Sequence, residues 1–199
     1  MSKSFKMDQP PTTQKPSQPR LTEIAHAAVC RHLAPGAYTI DATLGNGHDT
    51  LFLARHVGPN GHVHGFDIQP QALRSTRQRL EEAGLPHLVT LHLYGHEKMK
   101  DSLPPGLEGN ASAILFNLGF LPGGDKSVTT QVVPTLDALR QAWDIFLSPE
   151  GILSILAYPG HPAGLPEAEA VRDWLGKLEG ADIRSHPSPG PELHLVTKK

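Results

Sequence analysis

Two acids and a pair of glycines carry the first chemical signal. Asp41 closes an apolar, β-branched run from Tyr38 to Ile40, and Ala-Thr43-Leu-Gly45-Asn46-Gly47-His48-Asp49-Thr50 follows it. Asp67 closes a second such run, with Ile68 and Gln69 behind it. A strand that stops at an acid, turns on glycine and opens a helix builds a nucleotide pocket at the carboxyl edge of an open α/β sheet. Gly45 and Gly47 are expected to let backbone approach a ligand without a Cβ in the way. Asp67 is expected where a carboxylate takes both ribose hydroxyls.

The same residues argue against a dinucleotide. That motif reads G-x-G-x-x-G, its third glycine allowing close helix–strand packing, and here Thr50 stands in the third place. Asp41 would also repel a pyrophosphate. A cationic ligand with a ribose and no phosphate fits better, and S-adenosylmethionine is such a ligand. Asp41 would accept from its ammonium, directly or through water. Thr43, Gly45, Asn46 and Gly47 would wrap its amino-acid end. Asp49 and Thr50 open the next helix, where free N–H groups either bind a carboxylate or are simply capped. Ile68 would pack on the adenine with Gln69 nearby. His96 and Glu97, just past the third strand, either hold the adenine or form a solvated turn.

The elements that must position these groups alternate. Helices are read over Leu21–Leu33, His48–Val57, Pro70–Gly84, through Leu136, Leu139, Trp143 and Phe146, and over Glu167–Leu178. Strands are read over Tyr38–Asp41, Val63–Asp67, Leu88–Leu93, Ala111–Phe116, Gly151–Tyr158, at Ile183 and over Leu193–Thr197, with residues 101–110 as a Pro/Gly loop. Alternation of this kind implies βαβ units and a mostly parallel sheet. Two final strands with no helix between them imply an antiparallel last strand. The expected fold is therefore α/β, the Rossmann-like class I methyltransferase sheet of seven strands with helices on both faces.

Bulk properties narrow the rest. The 199 residues suit one α/β domain, expected over 20–199. Residues 1–19 are rich in Pro, Gln, Ser and Thr and are expected to be a flexible tail or an arm toward RNA phosphates. A net charge of −2 gives no general field for polyanions, yet allows one folded RNA met by a local basic patch. The single cysteine, Cys30, fits a reducing, cytoplasmic setting. No apolar run reaches membrane-spanning length. Twelve histidines invite a metal site, but His62/His64 and His92/His96 lack cysteine or carboxylate partners at ligand spacing, so no metal is expected.

Five segments occur in order: Asp41 to Thr50, Gly65-Phe-Asp-Ile-Gln69, Gly95-His-Glu97, Phe116-Asn-Leu-Gly-Phe-Leu-Pro-Gly-Gly-Asp-Lys126 and Tyr158-Pro-Gly-His-Pro-Ala-Gly164. Together they resemble a family of small bacterial methyltransferases first described as rRNA methylases and associated with methylating 5-aminomethyl-2-thiouridine at the tRNA wobble position. The resemblance runs from about Leu21 to Lys199. It departs at Ser185–Glu192 and at Tyr158-Pro159, where the family usually carries a second aromatic. It implies S-adenosylmethionine as cofactor, the tRNA anticodon stem-loop as partner, and no membrane. Methyltransferases of this size often form homodimers, which is carried as an expectation.

The reaction centre is expected after the fourth strand. Amino methyltransferases acting on planar nitrogens often carry (Asp/Asn)-Pro-Pro-(Tyr/Phe) there. This chain has Asn117-Leu-Gly-Phe120, keeping the amide and the aromatic without the prolines. An aliphatic aminomethyl nitrogen needs no planar clamp. Asn117 would orient the amine, and Asp125 or His161 would take its proton. Asp125 could equally cap a turn, and His161 could equally hold a loop. Phe120 and Tyr158 would stack on an exposed base or pack as wall, and Lys126 would touch phosphate. A small-molecule amine as substrate, rRNA as substrate, and cofactor binding without transfer remain as alternatives.

Overall fold

A computed structural model describes residues 19–199. The expected tail, apart from Pro19, lies outside the described residues. In chain order the elements are α1 (Leu21–Val29), β1 (Tyr38–Asp41), α2 (His48–Val57), β2 (His62–Phe66), α3 (Pro70–Glu82), β3 (Val89–His92), α4 (Met99–Ser102), β4 (Ala111–Leu118), α5 (Val132–Gln141), β5 (Leu147–Ala157), α6 (Gly164–Gly176), β6 (Ala181–His186) and β7 (Glu192–Lys198).

The strands form one sheet in the order β3-β2-β1-β4-β5-β7-β6. β1 to β5 pair in parallel, and β7 lies antiparallel between β5 and β6. This is the seven-stranded arrangement expected from the sequence. Chain order reverses direction across the sheet between β1 and β4, which opens a crevice at their carboxyl ends.

Alternation along β4 explains the layers. Ile114, Phe116 and Leu118 point into a core shared with Phe66, Met99, Leu139, Phe146 and Val171. Ala113 and Leu115 point into the opposite core with Val29, Leu53, Val57, Val63 and Leu80. Both faces of the strand are covered, so its sequence reads as a continuous apolar run. Phe66, Phe116 and Phe146 are fully buried, each contributing about 1.5–3 kcal/mol relative to exposure. In α3, Pro70 occupies the first turn, where its missing N–H costs nothing. Its buried stripe is Ala72, Thr76 and Leu80, one residue per turn.

Several boundaries differ from expectation. β4 continues to Leu118, so Asn117 sits inside a strand, held by pairing to Leu156 of β5. β2 ends at Phe66, which leaves Asp67 in the following turn. α1 tightens into a 3-10 turn at Cys30–His32, and a π-turn over Ala142–Phe146 continues α5. α6 starts at Gly164, three residues earlier than its first charged residue suggests. α4 intrudes on the expected loop because Met99 is fully buried and anchors a helical turn. β6 is an edge strand with only Ala181 buried, which is why its alternation is faint in the sequence. Among the described residues, no helix is long and apolar enough to cross a membrane.

Candidate active site

A cavity of about 860 Å³ opens at the carboxyl ends of β1, β2 and β4. Among the described residues, four carboxylates (Glu23, Asp49, Asp67 and Glu97) and one arginine (Arg20) line it. Of the residues expected at the site, Thr43, Gly45, Asn46, Asp49, Asp67, Ile68, Gln69, His96, Glu97, Asn117, Phe120 and Tyr158 line this cavity. Asp41, Gly47, Thr50, Asp125, Lys126 and His161 do not.

Asp41 lies behind the wall. It is fully buried, with Oδ2 accepting from the Thr50 hydroxyl at 2.5 Å and Oδ1 from the Thr43 N–H at 3.2 Å. Direct contact with a ligand ammonium is therefore ruled out by packing, and Asp41 instead fixes the loop above it. Burial and the neighbouring Asp49 charge push its pKa up to about 7, although the Thr50 bond pulls the other way. Thr50 is equally buried and serves Asp41 rather than a ligand.

The two glycines divide the work. Gly45 has φ +51 and donates its N–H to Asp67 Oδ2 at 3.0 Å. Gly47 has φ +75, and a Cβ there would come within 2.7–2.9 Å of Thr76 on α3. Gly47 is thus required by helix approach, the task that the third glycine performs in a dinucleotide loop, and not by a ligand. Arg79 of α3 also donates to the Asn46 carbonyl at 2.8 Å, and Asn46 donates its amide to Pro122 O at 3.1 Å.

Asp67 is fixed by two N–H donors, Gly45 and, at 2.8 Å, Gln69. Burial raises its pKa, and these donors offset only part of that. Asp67 lines the cavity, and its carboxylate has acceptor capacity beyond these donors. Ile68 beside it is 56% exposed, an apolar surface offered to the cavity. His96 is buried, with Nδ1 donating to Ala42 O at 3.3 Å and Nε2 lying 3.4 Å from the Thr135 hydroxyl. Burial lowers its pKa, which keeps it neutral at pH 7. His96 is thus part of the cavity wall and does not form a solvated turn. Behind it, Thr135 and Thr130 both donate to the buried Glu167, at 2.6 and 2.7 Å, which ties the loop after β4 to α5 and α6.

At the end of β4 the Asn117 N–H bonds the Thr43 hydroxyl at 2.7 Å, and its side-chain amide donates to Asp49 Oδ2 at 2.6 Å. Asp49 Oδ1 meets His26 Nε2 at 2.7 Å. Burial works to raise the Asp49 pKa, but the His26 and Asn117 bonds and nearby imidazoles outweigh it, so Asp49 stays ionised. His26, on α1, was not legible in the sequence, because its partner lies 23 residues away and only the tertiary fold joins them. Thr129, Thr130, Leu121 and Pro134 also line the cavity without a sequence signal.

Asp125 is exposed and accepts from the Ser127 N–H and hydroxyl at 2.8 and 2.7 Å. Those bonds lower its pKa. It caps a turn and does not line the cavity. His161 lies behind Gly119 and packs edge-on against Phe120 at 5.5 Å, with Nε2 buried and unpaired. It supports the loop and does not face the cavity. Lys126 Nζ sits 5.6 Å from the Phe120 ring centre, and Lys126 does not line the cavity. Tyr158 has its phenol pKa raised by burial and by Asp49, which keeps it neutral. Among the described residues, no group of three metal-ligating side chains is disposed to hold an ion.

Known proteins share this fold. The chain is 39% identical over 171 residues to an Arabidopsis thaliana protein named tRNA (mnm(5)s(2)U34)-methyltransferase, chloroplastic, covering 82% of this chain and 61% of that one. The chain thus spans about three fifths of that relative's length. It resembles the structure of a Clostridium thermocellum rRNA-methylase at a TM-score of 0.85 and 32% identity, over 92% of this chain and 100% of that one. A Streptococcus mutans methyltransferase solved in complex with SAH matches at 0.80 and 30%, with the same coverage. The family profile described as "Putative rRNA methylase" matches residues 63–186. The fold is that of class I S-adenosylmethionine-dependent methyltransferases, and the chain belongs to the rRNA methylase family.

Proposed function

We propose that this chain methylates the nitrogen of a 5-aminomethyl group on the wobble (2-thio)uridine of tRNA, with S-adenosylmethionine as donor. The observation that carries this reading is the polar group set at the tip of β4. Asn117 commits a side-chain Nδ2 hydrogen to Asp49, and among the described residues its Oδ1 has no donor, which leaves it able to accept from an ammonium or amine. No proline pair is present to clamp a planar nitrogen, which suits an sp³ amine. The activity of the Arabidopsis relative supports the same substrate.

The residues fit the donor. Four carboxylates against one arginine repel a pyrophosphate and suit a ligand that carries ammonium and sulfonium charges. Asp67 would hold the ribose hydroxyls, Ile68 and His96 the adenine, and Thr43, Gly45 and Asn46 the amino-acid end. When bound, S-adenosylmethionine supplies a methyl group on positively charged sulfur that is transferred by in-line displacement. What the chain contributes is position. Asn117 orients the amine, the wall of Leu118, Leu121 and Pro134 excludes water, and Phe120 and Tyr158 offer faces on which an extruded base stacks. Lys126, held over Phe120, would meet phosphate. The lone cysteine supports a reducing, cytoplasmic setting.

The test is transfer of label from methyl-labelled donor into two tRNA pools, one bearing 5-aminomethyl-2-thiouridine and one lacking it. Nucleoside mass spectrometry should show 5-methylaminomethyl product in the first pool alone. Label in both pools, in neither, or in rRNA instead would overturn the assignment.

A further inference from the structure

We infer that His26 is the proton acceptor for the substrate amine, its imidazole set in place by Asp49 and Phe52. The inference rests on the proposed amine substrate. An amine reacts only as the free base, so one N–H bond must break before transfer. The cavity wall must therefore hold a group that can take a proton near Asn117.

His26 meets the geometric requirement that Asp125 and His161, the acceptors read from the sequence, fail. It lines the cavity, with its side chain 30% exposed. Its Nε2 lies 2.7 Å from Asp49 Oδ1, while Asn117 occupies the other oxygen of the same carboxylate at 2.6 Å. One carboxyl group therefore separates the imidazole from the amide that orients the amine. Asp49 is ionised and can only accept, so Nε2 carries a hydrogen, and in the neutral ring the lone pair is on Nδ1. Nδ1 has no hydrogen-bond partner among the described residues. The ring lies flat on Phe52, 3.8 Å between centroids and 1° between planes. Asp49 thus sets the tautomer and Phe52 the plane, as an orienting carboxylate does for a catalytic imidazole.

Five other acids and bases suit the role less well. Asp49 is held ionised by its donors and is a weak base. Tyr158 stays protonated. His96 spends its Nδ1 hydrogen on Ala42, and its Nε2 lies against the Thr135 hydroxyl in a buried position. Asp125 and His161 do not line the cavity.

In the step itself, the substrate N–H bond breaks and its proton passes to His26 Nδ1, forming imidazolium stabilised by Asp49. The electron pair left on nitrogen forms the N–C bond to the methyl group as the C–S bond breaks, its electrons remaining on sulfur. The imidazolium then returns its proton to solvent through its exposed edge.

His26→Ala and His26→Gln test this with three readouts: steady-state kinetics on aminomethylated tRNA, calorimetric affinity for S-adenosylmethionine, and rescue by added imidazole. The expected result is a fall in kcat of about 10²-fold, with RNA KM and cofactor affinity changed less than about threefold. Added imidazole should restore His26→Ala roughly tenfold and leave His26→Gln, whose side chain fills the gap, unchanged. A merely structural role would give no rescue. Nitrogen–proton NMR of the unliganded wild type should show the Nε2–H tautomer at His26, independent of any turnover. The opposite tautomer, a kcat within about twofold of wild type in both variants, or loss without rescue would overturn the inference. Wild type inactive on aminomethylated tRNA would sink the proposed substrate and this inference together. An active wild type with an indifferent His26 would sink the inference alone.

Discussion

Asp41→Asn should change how stability depends on pH, in a window set by one buried carboxyl group. Asp41 is fully buried, and burial together with the Asp49 charge pushes its pKa from 3.8 to about 7. Between those two values the folded chain binds a proton at this site that the unfolded chain has released. Stability at this site is therefore fully present below about pH 4 and is lost as pH rises through 7. Three pH units correspond to about 4 kcal/mol at most, of which about 2–3 kcal/mol falls between pH 5 and 8.5. His64, pushed down to about 4 by burial and by its histidine neighbours, has the opposite sign, gaining stability as pH rises from about 4 through 6.5. That contribution is common to both proteins and cancels in the difference. The assay is urea unfolding followed by the fluorescence of Trp143 and Trp174, at half-unit steps from pH 5 to 8.5, for wild type and Asp41→Asn. The stability advantage of wild type should shrink by about 2–3 kcal/mol across that range. A difference that stays constant with pH would mean that Asp41 ionises as an ordinary surface acid, and the account of its burial would be wrong.

Three further outcomes are expected. Gly47→Ala combines a left-handed φ of +75 with a Cβ inside 2.9 Å of Thr76, and should cost about 2–3 kcal/mol, or roughly 4–10 °C in Tm; an unchanged Tm would refute the packing role given to Gly47. Asp67→Ala should weaken S-adenosylmethionine binding by about 10–100-fold, since it removes charged acceptors for two hydroxyls, and calorimetry showing wild-type affinity would move the ribose elsewhere. Asp125→Ala should leave kcat within about twofold, because this carboxylate caps the Ser127 turn outside the cavity; a large loss of kcat would restore Asp125 as a catalytic candidate.

The chain itself determined the architecture and the address of the site. Apolar runs at strand length, separated by amphipathic stripes, imply alternating strands and helices, and buried parallel strands such as β4 announce themselves because both faces are apolar. Short-range chemistry was legible too. Asp67 with Gly45, and Asn117 at the tip of β4, lie at strand ends, and in this topology the strand ends converge.

Only the tertiary structure decided which groups face the crevice and which stand behind it. Asp41 and Asp49 look interchangeable in sequence, yet a turn of α2 buries one under Thr50 and turns the other to Asn117 and His26. The presence of Thr76 beneath Gly47, and of an imidazole from α1 against a carboxylate of α2, depends on how helices pack across the sheet. Such contacts join residues 23 to 74 positions apart, and no local pattern encodes them, because what fixes them is the shape of the whole core and not the preference of any one segment.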